Sequence, residues 1–174
     1  ADWCNDKKVM VKKVENNSQF LEIVKNFDID LVITVAYGHI IRNELLHLPK
    51  YGCINLHYSL LPKYRGAAPV QWAILNGELT TGVTVFQLDS GMDTGPIYLQ
   101  QELEIGPDEI TNDLIGRLNR VGVNLIGQSL DLIATGAKPF PQPMEGASTA
   151  PKFKKEDGAL NWKLSAIDIY NRYR

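Results

Sequence analysis

Only two cysteines stand in the 174 residues, Cys4 and Cys53, far apart and in no metal-ligand spacing. A disulfide-stapled fold and a thiolate zinc site are therefore excluded. Free thiols in a reducing compartment, the cytoplasm, are expected. His39 and His47 have no partner at a ligand spacing and read as surface residues, so no metal site is expected. No apolar run approaches the roughly 18 residues needed to span a bilayer. The opening stretch 1–8 is polar, unlike a signal peptide. Charge of one sign is also missing: 18 basic residues against 20 acidic ones leave a net charge of −2. That is too little positive charge for a domain holding nucleic acid mainly by its own field. The GxGxxG of a dinucleotide-binding turn is absent, which argues against a nicotinamide enzyme. What is present, 44% hydrophobic and 22% charged residues, is ordinary globular composition in a chain long enough for one domain with a core.

The hydrophobic pattern predicts alternating strands and helices. Val9 to Val14 reads as a short strand. Ser18 is a helix cap before a face of Phe20, Ile23, Val24 and Phe27. The run from Leu31 to Ala36 is apolar and β-branched, as in a strand buried on both sides. Asn43 to Leu48 is a short helix stopped by Pro49, and Cys53 to Leu56 is the next strand. This rhythm predicts an α/β fold with an open, mostly parallel sheet and helices on both faces. Pro69 opens a further helix that Gly77 ends. Val83 to Leu88 and Ile97 to Ile105 read as an antiparallel pair toward one edge, joined through a glycine-rich loop. Thr111 or Asp108 caps a long helix with Leu114, Leu118, Val121, Leu125 and Leu132 on one face, and Ser165 caps a last one from Ala166. Trp72 and Trp162 are expected in core or half-buried packing.

Chemistry concentrates between Gly52 and Pro69, GCINLHYSLLPKYRGAAP. Asn55 and His57 are two apart, so on a strand they project from the same face. They do so where the chain leaves the sheet, and open parallel sheets place ligands at that end. A carboxamide can donate to a developing oxyanion, and an imidazole can move a proton near neutral pH. A third group should set the charge and tautomer of His57. Asp89 and Asp93 both qualify by position, and spacing does not choose between them. Each of these residues also has an ordinary structural use: Asn and Asp in turns, His satisfied in a core.

The stretch NLHYSLLPKYRGAAPVQ resembles the signature of the folate-dependent formyltransferases. The continuation AAPVQWAI, then TGVTVFQLDSGMDTGPIY, is most similar to the branch that acts on methionyl-tRNA. The resemblance implies a Rossmann-like sheet and 10-formyltetrahydrofolate as formyl-donor substrate, without a metal. It selects Asp93 over Asp89, because the family's MDTG matches Met92 to Gly95 residue for residue, and it makes Asn55, His57 and Asp93 a catalytic trio. It also implies that Tyr37 and Gly38 edge a pterin pocket and that Ser59, Leu60, Leu61, Pro62 and Gly66 border the donor. Gly66 reads equally as a positive-φ turn. Arg65 would contact a polyglutamate tail or a tRNA phosphate. One departure is Tyr58, where relatives often carry a small residue; strand alternation turns it away from Asn55 and His57. By the same comparison residues 1–150 form a catalytic domain, and 151–174 begin the connection to a C-terminal domain. A first strand and turn are expected before Val9, and a β-barrel that grips initiator methionyl-tRNA after Arg174. The whole is expected to be a monomer without a membrane partner. The rival readings are a formyltransferase for a sugar-nucleotide amine, one for glycinamide ribonucleotide, which RGAAPVQ disfavours, and a fragment that binds folate or tRNA without turnover.

Overall fold

Four strands form one sheet in the order β1 (Val32–Val35), β2 (Cys53–His57), β3 (Thr80–Gln87) and β4 (Ile97–Glu104). The computed structural model describes residues 4, 6–38 and 41–174. β1 and β2 run parallel with Val32 opposite Cys53 and Thr34 opposite Asn55. The β2–β3 and β3–β4 pairs are antiparallel. The open α/β sheet with its antiparallel edge is as expected, but the parallel part is confined to one pair among the described residues. The cause is the link between β2 and β3. Its helix, α3 (Pro69–Leu75), has seven residues and rises about 10 Å. That is too short to carry the chain back along β3, so residues 58–79 stay at the carboxyl end of β2. Their bulk collects where Asn55 and His57 emerge.

The sheet's two faces have different cover. On one, Ile54 and Leu56 of β2 with Val83 and Val85 of β3 pack on Val70, Ala73 and Ile74 of α3 and on the long helix α4 (Thr111–Ala134). The stripe of α4 runs Leu114, Leu118, Gly122, Leu125, Ser129, Ile133. The expected Val121 and Leu132 sit one place off it, because Gly122 is the residue that meets Leu56. A Cβ there would stand 2.5 Å from Leu56 Cδ2, so this glycine lets helix and strand approach. On the other face Val32 and Cys53 pack under α1 (Asn17–Asn26) and α2 (Asn43–Leu46), with Val24, Leu45 and Leu46. Farther along, Leu61, Phe86 and Ile97 form a third cluster.

Several expectations change. Residues 9–14 form no strand: Val9, Met10 and Val11 are exposed, and among the described residues no strand pairs with them. β1 is not buried on both sides but alternates, Val32 and Thr34 inward, Ile33 and Val35 exposed; among the described residues it is the sheet's edge, and α4 lies over β3 and β4 instead. Asn16, not Ser18, caps α1, its Oδ1 accepting from Ser18 N and Gln19 N. Neither Thr111 nor Asp108 caps α4 with its side chain, whose N-cap is Ile110. Ser165 does cap α5 (Ala166–Tyr173), accepting from Asp168 N. Trp72 is half-buried, donating to Pro151 O, whereas Trp162 is 77% exposed in the turn ahead of α5. His47 is exposed, and His39 lies outside the described residues.

Candidate active site

His57 ends β2 and is buried. Its Nε2 lies 2.8 Å from the carbonyl oxygen of Tyr64. A carbonyl only accepts, so Nε2 carries the proton and Nδ1 is the nitrogen left for chemistry. Nδ1 faces Asp93 Oδ2 at 3.8 Å, too long for a hydrogen bond and close enough for charge to be felt. Burial pulls the imidazole's pKa below its ordinary 6.5, while the Asp93 carboxylate and then the Tyr64 carbonyl push it back up. The Phe86 ring stands perpendicular to the imidazole, with ring centroids 6.4 Å apart. Neutral His57 is thus the resting form, with an anion placed to stabilise a proton arriving at Nδ1.

Asp93 is held by the loop that follows β2. Gly66 N donates to its Oδ2 at 2.7 Å. Asp89, the other candidate, is used locally, accepting from Thr94 Oγ1 and Gly91 N. Asn55 lies on the His57 face of β2, and its Oδ1 accepts from Thr34 Oγ1 at 2.7 Å. This anchors the acceptor end of the carboxamide. Thr34 was missed from sequence, where a single hydroxyl inside LVITVA was the only signal.

The loop keeps its shape through internal bonds. Ser59 Oγ donates to Lys63 O, and Thr84 Oγ1 donates to Ser59 O and accepts from Leu61 N. Gln100 Nε2 reaches Leu61 O and Thr84 Oγ1. Ser59, Leu61 and Pro62 are therefore interior, with the Leu61–Pro62 peptide cis, and Leu60 is half-buried. Tyr64 has φ +60°, and its phenol donates to Glu78 Oε1 while accepting from Asn76 Nδ2. Burial pushes that phenol's pKa up to about 12. Gly66 has φ +124°, the positive-φ turn expected, and a Cβ there would lie 2.7 Å from the backbone oxygen of Ala150. Tyr58 turns away as expected, donating to Asn119 Oδ1 on α4 at 2.5 Å. Arg65 Nε and Nη2 both donate to Gln142 Oε1. Tyr37 is half-buried beside Phe20, and Gly38 is exposed at the same end of β1. A groove of about 360 Å³ bordered by His47, Lys50 and Lys138 lies at the other end of β2, away from His57. Among the described residues no His, Cys, Asp and Glu cluster could hold a metal ion, and no helix is long and apolar enough to cross a membrane.

A profile of the family described as formyl transferase matches residues 3–130, more than half of the chain. The chain belongs to the formyl transferase family. Within it, the sequence is 47% identical over 159 residues to the methionyl-tRNA formyltransferase of Thermodesulfovibrio yellowstonii, covering 91% of this chain and 51% of that protein. The chain thus spans about half the length of the curated relatives it matches. Among solved structures, it is 31% identical, with a TM-score of 0.67, to the formyltransferase PseJ of Anoxybacillus kamchatkensis, covering 80% of this chain and 71% of that one. That protein was solved with UDP-4,6-dideoxy-4-formamido-L-AltNAc and tetrahydrofolate. An N-formyltransferase of Helicobacter canadensis, solved with folinic acid and dTDP-3-aminofucose, is 26% identical at a TM-score of 0.69 and covers 78% of this chain and 51% of that one. The family match ends before Gln142, which meets both the loop after β2 and the loop that carries Asp93.

Proposed function

We propose that this chain is the formyl-transferring part of a methionyl-tRNA formyltransferase, a cytoplasmic monomer that moves a formyl group from 10-formyltetrahydrofolate to the amino group of initiator methionyl-tRNA. The observation that carries the reading is the buried His57 with Asp93 3.8 Å from Nδ1, in a chain 47% identical to an enzyme of that name. On this reading residues 1–150 carry the chemistry and 151–174 begin the connection to the rest of the protein.

Each residue has one task. Asn55, tied to Thr34 through Oδ1, turns Nδ2 to the formyl oxygen as that oxygen becomes negative. Neutral His57 accepts at Nδ1 the proton that the attacking amine must lose, and returns it to the departing folate nitrogen, so the proton count balances. Asp93 stabilises the imidazolium between those steps. Tyr37 and Gly38 border the donor from β1, while Ser59, Leu60, Leu61, Pro62 and Gly66 shape its wall largely through their backbone.

The test is an acceptor screen with the full-length protein and 10-formyltetrahydrofolate, offering methionyl-tRNA, glycinamide ribonucleotide and amino-sugar nucleotides. Formylation of methionyl-tRNA alone is the expected result. Preference for an amino-sugar nucleotide, the class of molecule with which the two solved relatives were determined, would replace the acceptor while keeping the chemistry. No transfer to any acceptor would remove the reading altogether.

A further inference from the structure

Both groups that face His57 are carried by backbone in the left-handed region: Tyr64 at φ +60° and Asp93 at φ +53°. A non-glycine residue there is strained and persists only where its surroundings hold it. The segment after α4 supplies that hold. Phe140 bridges to Ile97, and Thr149 bridges to Arg65. Ser148 accepts from Tyr64 N through its hydroxyl and from Arg65 N through its carbonyl. Between these anchors lies Gln142, half-buried. Its Nε2 donates to Asp93 O at 2.9 Å and to Gly95 O at 2.7 Å. Its Oε1 accepts from Arg65 Nε at 3.2 Å and Nη2 at 2.6 Å. Two carbonyls on one side and a guanidinium on the other require a donor end and an acceptor end on one side chain. A carboxamide of this length meets that requirement, and Arg65 fixes which end points at Asp93.

We propose that Gln142 is a positioning residue for formyl transfer, holding the Asp93 peptide so that its carboxylate stays beside His57. The proposal rests on the catalytic reading of His57 and Asp93. Gln142 lies outside the residues the family profile matches, so its importance would come from this packing and not from the signature.

The test uses the full-length protein and Gln142→Met, which keeps length and neutrality but loses both hydrogen-bonding ends. Gln142→Asn, one methylene shorter, is the second variant if the first folds poorly, with thermal unfolding followed for each. The expected result is a 10- to 100-fold lower kcat, part of the roughly 10²–10⁴-fold that acid–base help contributes, with KM values within about threefold. In an Asp93→Asn background the same change should cost less than about threefold, because its route is already cut. Titration of His57 by NMR gives a readout that needs no turnover: its pKa should fall in Gln142→Met, in the direction of Asp93→Asn. An unchanged kcat, an equal loss in both backgrounds, a change in KM alone, or an unmoved His57 titration would each overturn the proposal. Wild-type protein without formyl transfer, but with the His57 titration moved as expected, would instead overturn the functional reading and leave the strut standing.

Discussion

His57 has an acceptor on each side, the Tyr64 carbonyl at Nε2 and the Asp93 carboxylate near Nδ1, inside a site that water barely reaches. Burial wins, so the resting imidazole is neutral. His57→Ala and Asn55→Ala are each expected to lower kcat by about 10²-fold or more. The double variant should lose far less than the product of the two, since both groups serve one intermediate; steady-state kinetics of the four proteins checks this. Thr34→Val should cost about 2- to 10-fold in kcat, the scale of one net hydrogen bond, because Asn55 then swings without its anchor. The His57 pKa also makes a stability statement. The unfolded chain binds this proton more readily than the folded one, so its contribution is complete above pH 6.5. It is lost as pH falls from there toward the lowered folded value, and below that value nothing further is lost. Thermal unfolding across pH 5–7 should therefore show a steeper acid decline in wild type than in His57→Gln. Parallel curves would mean that His57 titrates alike in both states.

At the level of elements, the loop after β2 was legible because its residues are unusual. Pro, Gly and paired basic residues following an apolar strand have few uses, and the MDTG match singled out the carboxylate that the structure puts beside His57. Other features carry no such mark. An apolar run such as VITV reads the same whether helices cover one face or two, so the exposure of Ile33 and Val35 could not be seen. The antiparallel return into β3 depends on the length of α3, and helix ends are soft in sequence. The register of α4 slipped by one because Gly122 carries no hydrophobic signal, although it is where α4 meets β2. Gln142 sits among prolines in an extended stretch and meets Asp93 49 residues away, a contact no local pattern announces. Gly122 offers the clearest test at this scale. Alanine normally improves a helix interior by about 1 kcal/mol over glycine. Here its Cβ would press on Leu56, the residue next to His57, and overpacking of this kind costs about 1–3 kcal/mol. Gly122→Ala should therefore lower stability, by chemical denaturation, and reduce kcat as β2 shifts. A stabilised variant would show that α4 and β2 have room to spare.

For the whole molecule, the proposed methionyl-tRNA acceptor raises the question of how an acidic chain would serve a nucleic-acid substrate. Eighteen basic residues against 20 acidic leave no surplus, and two near the site are already engaged. Lys63 pairs with Glu78 at 3.4 Å, and Arg65 gives Nε and Nη2 to Gln142. The remaining basic spots, Lys7 with Lys8, Lys12 with Lys13, and Lys152 with Lys154 and Lys155, lie on exposed segments near the two ends of the sequence. Three or four such contacts are largely screened at physiological salt, where fields decay over about 8 Å. Affinity for nucleic acid and its salt dependence both grow with the number of phosphates neutralised. A chain that spans about half of its relatives' length is then expected to supply the chemistry while the remainder supplies most of the grip. Binding of initiator tRNA to the 174-residue chain and to the full-length protein, measured across a salt series, checks this. The shorter chain should bind more weakly, with a shallower dependence of log K on log salt. Equal affinity and equal slope would place the tRNA site wholly within these residues, and the basic spots near the loop after β2 would have to be counted as phosphate contacts after all.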